Sequence, residues 1–150
     1  MWVADMDFET PDFIVDAVKE RAAHPVYGYS IMEDSYYEAF ISWTKRRHNW
    51  EIQKDWMIFS PGIVTAVNAA IKAFTNENEG VIVQPPVYFP FFSAVKNNGR
   101  KLLENQLLYI ENTYKFDFDD LREKAKDAKL ILLSSPHNPV CRCWTEDELK

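Results

Sequence analysis

Apolar residues recur along this chain with two different habits, and their alternation predicts the architecture. Phe13, Ile14, Ala17, Val18 and Ala22 fall at helical spacing. Thr10-Pro11-Asp12 ahead of them offers a hydroxyl N-cap, a proline at the first helical position and an acid in the first turn, and His24-Pro25 should end the helix. A second helix is expected from Ser35-x-x-Glu38, read as a capping box, with Tyr36, Tyr37, Phe40, Ile41 and Trp43 along one side. Trp56-Met57-Ile58-Phe59 reads as a short strand that stops at Ser60-Pro61-Gly62. Beyond it Ile63, Val64, Val67, Ala70, Ile71 and Phe74 return to helical spacing.

The same alternation continues downstream. Residues 80–84 read as a buried strand, 88–97 as a helix, 101–108 as extended, 117–126 as a helix and 129–134 as another continuous apolar strand. Thr145-x-x-Glu148 is a second capping box, opening a helix at the last residues given, which leads us to expect further chain. Strands covered on both faces show unbroken rather than alternating hydrophobicity, so these runs predict an α/β fold with a mostly parallel sheet and helices on both faces.

Composition narrows the function classes. With 150 residues, 47% hydrophobic and 15% aromatic, there is apolar material for one core of ordinary size. A net charge of −6, a pI near 5.1 and no long basic stripe argue against a nucleic-acid partner. No apolar run approaches the roughly 20 residues that span a bilayer, and no basic segment leads into an apolar one at the start. A cytoplasmic protein is expected, with no membrane partner. Cys141 and Cys143 are one residue apart, too close for an unstrained disulfide, and are expected to be free thiols. Together with His137 they lack a fourth ligand and match no established zinc spacing, so no metal is expected.

Three segments could carry chemistry. Ser60-Pro61-Gly62-Ile63 leads into a helix N-terminus, whose orphan N–H groups and dipole favour an anion, although a plain serine N-cap explains the same residues. Tyr88 follows a strand at its carboxyl end, where open α/β sheets place ligands, and its ring could stack on a flat cofactor or simply pack. Ser134-Ser135-Pro136-His137-Asn138-Pro139 also follows a strand and could present Asn138 from a proline-shaped loop. His137 reads as a loop histidine without an acid/base partner, and Asp5 and Asp7 as solvated acids ahead of a helix. Tyr27-Gly28-Tyr29 could reach a ligand or a neighbouring subunit.

Taken in order, Trp2-Val-Ala-Asp-Met-Asp-Phe8, Tyr27-Gly-Tyr-Ser30, Ser60-Pro-Gly-Ile-Val64, Pro86-Val-Tyr88, Asn98-Gly-Arg100 and Ser134-Ser-Pro-His-Asn-Pro-Val140 resemble the cystathionine β-lyase-like branch of the class I/II aminotransferase-fold enzymes, which depend on pyridoxal 5′-phosphate (PLP). The resemblance spans nearly the whole chain. It implies the fold-type-I PLP transferase fold (aspartate aminotransferase-like) with an incomplete large domain: residues 1–30 would form an N-terminal arm and first helix, and 31–150 part of the PLP-binding large domain. It implies a homodimer in which backbone N–H groups of Gly62 and Ile63 hold the PLP phosphate, Tyr88 stacks on the pyridine ring and Asn138 hydrogen-bonds its phenolic oxygen. Tyr29 would reach the phosphate in the partner subunit's site, and residues 4–7 would line the substrate entrance. The substrate would be a small sulfur amino acid, cleaved to a thiol, pyruvate and ammonia.

The Schiff-base lysine, the aspartate facing the pyridine nitrogen and the arginine for the substrate carboxylate have no matching motif here, so the isolated chain is expected to be inactive. The PLP-facing residues do not separate a lyase from an aminotransferase, and a non-catalytic remnant or binding domain is the competing reading of another class. One departure stands out: Cys141 occupies a place where the family usually has glycine. If that backbone requires positive φ, a side chain there costs about 1 kcal/mol.

Overall fold

The structure, a computed structural model, describes residues 6–150. The chain forms two compact units, Met1–Ile58 and Phe59–Lys150.

The first unit holds α1 (Asp12–Ala23), α2 (Asp34–His48) and a single 3₁₀ turn at Lys54–Trp56. Both helices exist, but neither start is the expected one. Pro11 itself, extended at φ −53° and ψ 138°, is the N-cap of α1, so Thr10 lies one residue too early to cap it. Glu33 is the N-cap of α2, which puts Ser35 inside the first turn and leaves the Ser35/Glu38 box unformed. The far end of α2 follows a left-handed stop: Asn49 takes φ +50°, its N–H bonds to Lys45 O at 3.0 Å, and Trp50 N–H reaches back to Thr44 O. The expected strand at 56–59 does not form. Trp56 N–H and Met57 N–H instead close a turn onto Gln53 O and Lys54 O, and no strand pairs with residues 57–59 among the described residues.

In the second unit α3 (Ile63–Phe74) precedes β1 (Gly80–Val83), α4 (Pro90–Asn97) and β2 (Lys101–Glu104). β3 (Leu108–Ile110), β4 (Thr113–Lys115), α5 (Phe118–Ala125), β5 (Ala128–Ile131) and the short α6 (Glu146–Leu149) follow. The main sheet has the order β2-β1-β5 and is parallel throughout, as the unbroken apolar runs required. Strand geometry sends alternate side chains to opposite faces. Val81 and Val83 therefore meet Ile71 of α3 and Ala94 and Val95 of α4 in the main core, whereas Ile82 lies with Leu121 and Ala125 of α5 around a cavity of about 340 Å³. Helices thus cover both faces.

Gly80 shows how tightly the strands begin. A Cβ there would stand 2.4 Å from Asp127 O and 2.6 Å from the Leu103 side chain, at the point where the β1–β5 register slips.

The region expected to be simply extended is two elements. After β2 the chain turns into the antiparallel hairpin β3–β4, joined by Glu111-Asn112 at φ +54° and +60°. Two consecutive positive φ values are the mark of a type I′ turn, whose twist matches the strands it joins. The Thr145/Glu148 capping box forms as expected.

Candidate functional site

Topology brings one end of the sheet to functional attention. Strands β1 and β5 are parallel neighbours, so the segments that follow them, 84–89 and 132–143, leave from the same end. Helix α3 runs against the strands. Thr75, just past its C-terminus, accepts from Arg100 Nε at 2.8 Å beside the start of β2, which leaves the N-terminus of α3 toward the carboxyl ends of the strands. Gly62, Ile63, Tyr88 and Asn138 therefore all belong to elements that open at that end, where ligands of open α/β sheets bind.

Gly62 is the N-cap of α3, at φ +145° and ψ 158°, a backbone conformation essentially reserved for glycine. A Cβ at that position would meet nothing within 4 Å, so the space before the helix is open. The first bond of the helix is Ala66 N–H to Gly62 O at 3.0 Å, which leaves the N–H groups of Ile63, Val64 and Thr65 without intrahelical acceptors. Ser60 does not cap the helix; its hydroxyl donates to Gly62 O at 3.1 Å and braces the turn. Three forward-facing donors at a helix dipole are what a phosphate would need.

Tyr88 is half-buried, its ring set against Phe89 and Phe91 at centroid distances of 5.5 and 6.2 Å. Asn138 is exposed, with its N–H directed to Ser134 Oγ. The peptide bonds Pro85-Pro86, Ser135-Pro136 and Asn138-Pro139 are cis.

Linking the Tyr88 and Asn138 segments is a residue that its sequence position alone undervalues. His137 is not an idle loop side chain: it is 1% exposed, and its Nε2 hydrogen-bonds Pro86 O at 3.0 Å. Burial pushes its pKa below the ordinary imidazole value, more than the carbonyl oxygens of Pro86, Gln84 and Ser134 raise it. The ring meets Trp144 edge to face at 5.3 Å, and Trp144 Nε1 donates to Ser134 O at 2.8 Å. Arg142 lies over the other ring system, its guanidinium 4.5 Å from the Trp144 centroid and paired with Glu148.

A second buried polar group was also missed. Gln84, at the carboxyl end of β1, donates to Asn105 Oδ1 at 3.1 Å. Asn105 in turn donates to Asp117 O and Asp120 Oδ2, at 3.0 and 2.8 Å. The Asp120 carboxyl is held below its usual pKa by the Asn105 hydrogen bond and by Lys124. This chain ties the end of β1 to the start of α5, and only an unexplained glutamine after an apolar run hinted at it.

Tyr29 is fully exposed in the first unit. A cavity of about 690 Å³ in that unit is lined by Phe13, Val18, Tyr27 and neighbours, none of them a predicted cofactor residue. Ala4 and Asp5 of the 4–7 segment lie outside the described residues, whereas Met6 and Asp7 are exposed. Among the described residues no helix is long and apolar enough to cross a membrane.

These features define a class: an open parallel α/β protein with an anion-ready helix terminus, an aromatic residue and an amide at the carboxyl end of its strands. The chain belongs to the aminotransferase class I and II family, whose model matches residues 3–150. It is 44% identical to cystathionine beta-lyase PatB of Bacillus subtilis and 30% identical to protein MalY of Escherichia coli, in each case over 99% of this chain and 39% of the relative. Among solved structures it matches PLP-containing cystalysin from Treponema denticola, with TM-score 0.91 and 42% identity over 98% of this chain and 38% of that one. It also matches the PLP-bound C–S lyase from Staphylococcus hominis, with TM-score 0.90 and 37% identity over 99% and 40%. The chain spans about two fifths of the length of these relatives. The fold expected from the sequence, that of PLP-dependent aminotransferase-like enzymes, is the one found.

Proposed function

We propose that the complete protein is a PLP-dependent C–S β-lyase of the cystathionine β-lyase type, acting on a small S-substituted cysteine. The observation that carries the reading is the arrangement just described: the N-terminus of α3 and the loops bearing Tyr88 and Asn138 open at one end of the sheet. Similarity to PatB, MalY and the two C–S lyase structures supports the choice among PLP chemistries.

The residues present fit the cofactor. Its phosphate suits the free N–H groups at Ile63 and its successors, with Gly62 leaving the approach open. Tyr88 offers an aromatic face to the pyridine ring, and the Asn138 amide offers a donor to the phenolic oxygen. Tyr29 would serve the partner's site in a homodimer. When bound, PLP supplies the electron sink that lets sulfur leave from Cβ. This chain's part is to bind and orient it; the lysine that would hold it covalently is assigned to none of the lysines here. Two exposed thiols, Cys141 and Cys143, fit a cytoplasmic setting.

The test is an assay of the complete gene product with cystathionine. Pyruvate and a free thiol formed without any keto acid are expected. Turnover that requires a keto acid and yields a new amino acid would assign an aminotransferase instead, and PLP-independent behaviour would leave a binding domain.

A further inference from the structure

We propose that His137 is a positioning residue that sets the spacing between the two loops facing the cofactor, the one carrying Tyr88 and the one carrying Asn138; this rests on the PLP reading above. Its Nε2 meets Pro86 O, two residues before Tyr88 and 51 residues away along the chain, at 3.0 Å. Its own backbone is held on both sides, with the N–H donating to Arg142 O at 2.7 Å and the carbonyl accepting from Cys141 N–H at 2.8 Å. The backbone that carries the ring is thus fixed immediately beside Asn138, so holding the ring on Pro86 O also holds the start of the Asn138 segment against the Tyr88 loop. The two segments also pack through Val87 and Leu132 in the core, but the His137–Pro86 contact is the side-chain hydrogen bond that joins them next to Tyr88 and Asn138, and so sets where the amide sits relative to the aromatic ring.

The alternative is that His137 merely fills space beside Trp144. An apolar side chain would do that without leaving a buried polar atom unpartnered, yet His137 Nδ1 has no hydrogen-bond partner. What histidine adds, and an apolar residue would not, is the contact to Pro86. Because a carbonyl can only accept, the Pro86 contact requires the tautomer protonated at Nε2.

Two measurements on the complete gene product test this. Ring ¹⁵N NMR of the protein without PLP should show His137 neutral and protonated at Nε2. PLP titration should then separate three variants. His137→Gln places its amide nitrogen close to where Nε2 stands and should bind PLP within roughly threefold of wild type, whereas His137→Asn reaches only the Nδ1 position and His137→Leu donates nothing, so both should lose about tenfold or more. Should His137→Leu fail to fold, the Gln and Asn pair decides, since both are amides and differ only in reach. A proton on Nδ1, or equal affinity in the Gln and Asn variants, overturns the proposal alone. Wild-type protein that takes up no PLP overturns the cofactor reading and this proposal with it.

Discussion

The N–H of Cys141 donates to the carbonyl oxygen of His137 at 2.8 Å, closing a turn in which Cys141 itself stands at φ +55°. The left-handed conformation that the sequence raised as a possibility is therefore present, with a side chain in it. Such a residue costs about 1–2 kcal/mol relative to right-handed backbone. Glycine's greater freedom in the unfolded chain offsets part of that. Cys141→Gly should accordingly raise the unfolding free energy of the complete protein by roughly 0.5–1 kcal/mol, measured by urea denaturation. A fall instead would mean that the thiol contact with Pro139 O, at 3.4 Å, outweighs the backbone cost.

The hairpin offers a second test of the same physics, away from the site. Asn112 sits at φ +60° in the Glu111-Asn112 turn, and asparagine tolerates that region better than most residues. Asn112→Gly should leave stability unchanged or slightly higher. Asn112→Val, β-branched, should lose about 1–2 kcal/mol without touching the core. Thermal unfolding of the two variants side by side checks this; equal midpoints would refute it.

What was legible in the sequence was mostly local. The apolar runs at 80–84 and 129–134 announced parallel strands, which form at Gly80–Val83, buried throughout, and at Ala128–Ile131, where Lys129 and Ile131 stay exposed, and Thr145-x-x-Glu148 announced its helix. The same four-residue pattern at Ser35-x-x-Glu38 misled, because a capping box works only when its first residue is the extended one before the helix. Thr145 is that residue, at ψ 163°; in α2 the role falls to Glu33, at ψ 159°. The hairpin was hidden because its turn is Glu-Asn rather than the Asn-Gly that signals one. Similarly, 56–59 has strand-like composition but no strand to pair with among the described residues. His137 was opaque for another reason: its partner is 51 residues distant, and no local rule describes a loop histidine folded into the core.

That burial makes stability depend on pH in a defined direction. The folded pKa of His137 lies below its ordinary value of about 6.5. Below that pH the unfolded chain takes up a proton that the folded ring resists, so stability is full above it and declines as pH falls toward the lowered value. The carboxyls of Asp120 and Glu148, both held low in the folded state, add losses only at more acidic pH. For Glu148 burial acts upward, and hydrogen bonds from Thr145 and Arg142 outweigh it. Urea unfolding at pH 7.5 and 5.5 should show wild type weakened at the lower pH, and His137→Gln weakened distinctly less. The same decline in both proteins would remove His137 as its source.

Gly62 before α3 and Gly80 at the start of β1 separate strain from collision. Gly62 is strained but has room, at φ +145° with nothing near a Cβ, whereas at Gly80 a Cβ would strike Asp127 O at 2.4 Å. Alanine at either position should cost stability of about 1–3 kcal/mol, at Gly62 through the backbone and at Gly80 by forcing β1 from its neighbours. Only at Gly62 does relief of the strain turn the N–H groups that begin α3. Gly62→Ala should therefore weaken PLP binding by about tenfold, as expected for losing one hydrogen bond to a charged group, while Gly80→Ala keeps near-wild-type affinity at a temperature where both are folded. If Gly80→Ala instead lost as much affinity as Gly62→Ala, general loosening of the unit would explain both, and the helix terminus would have no special claim on the phosphate.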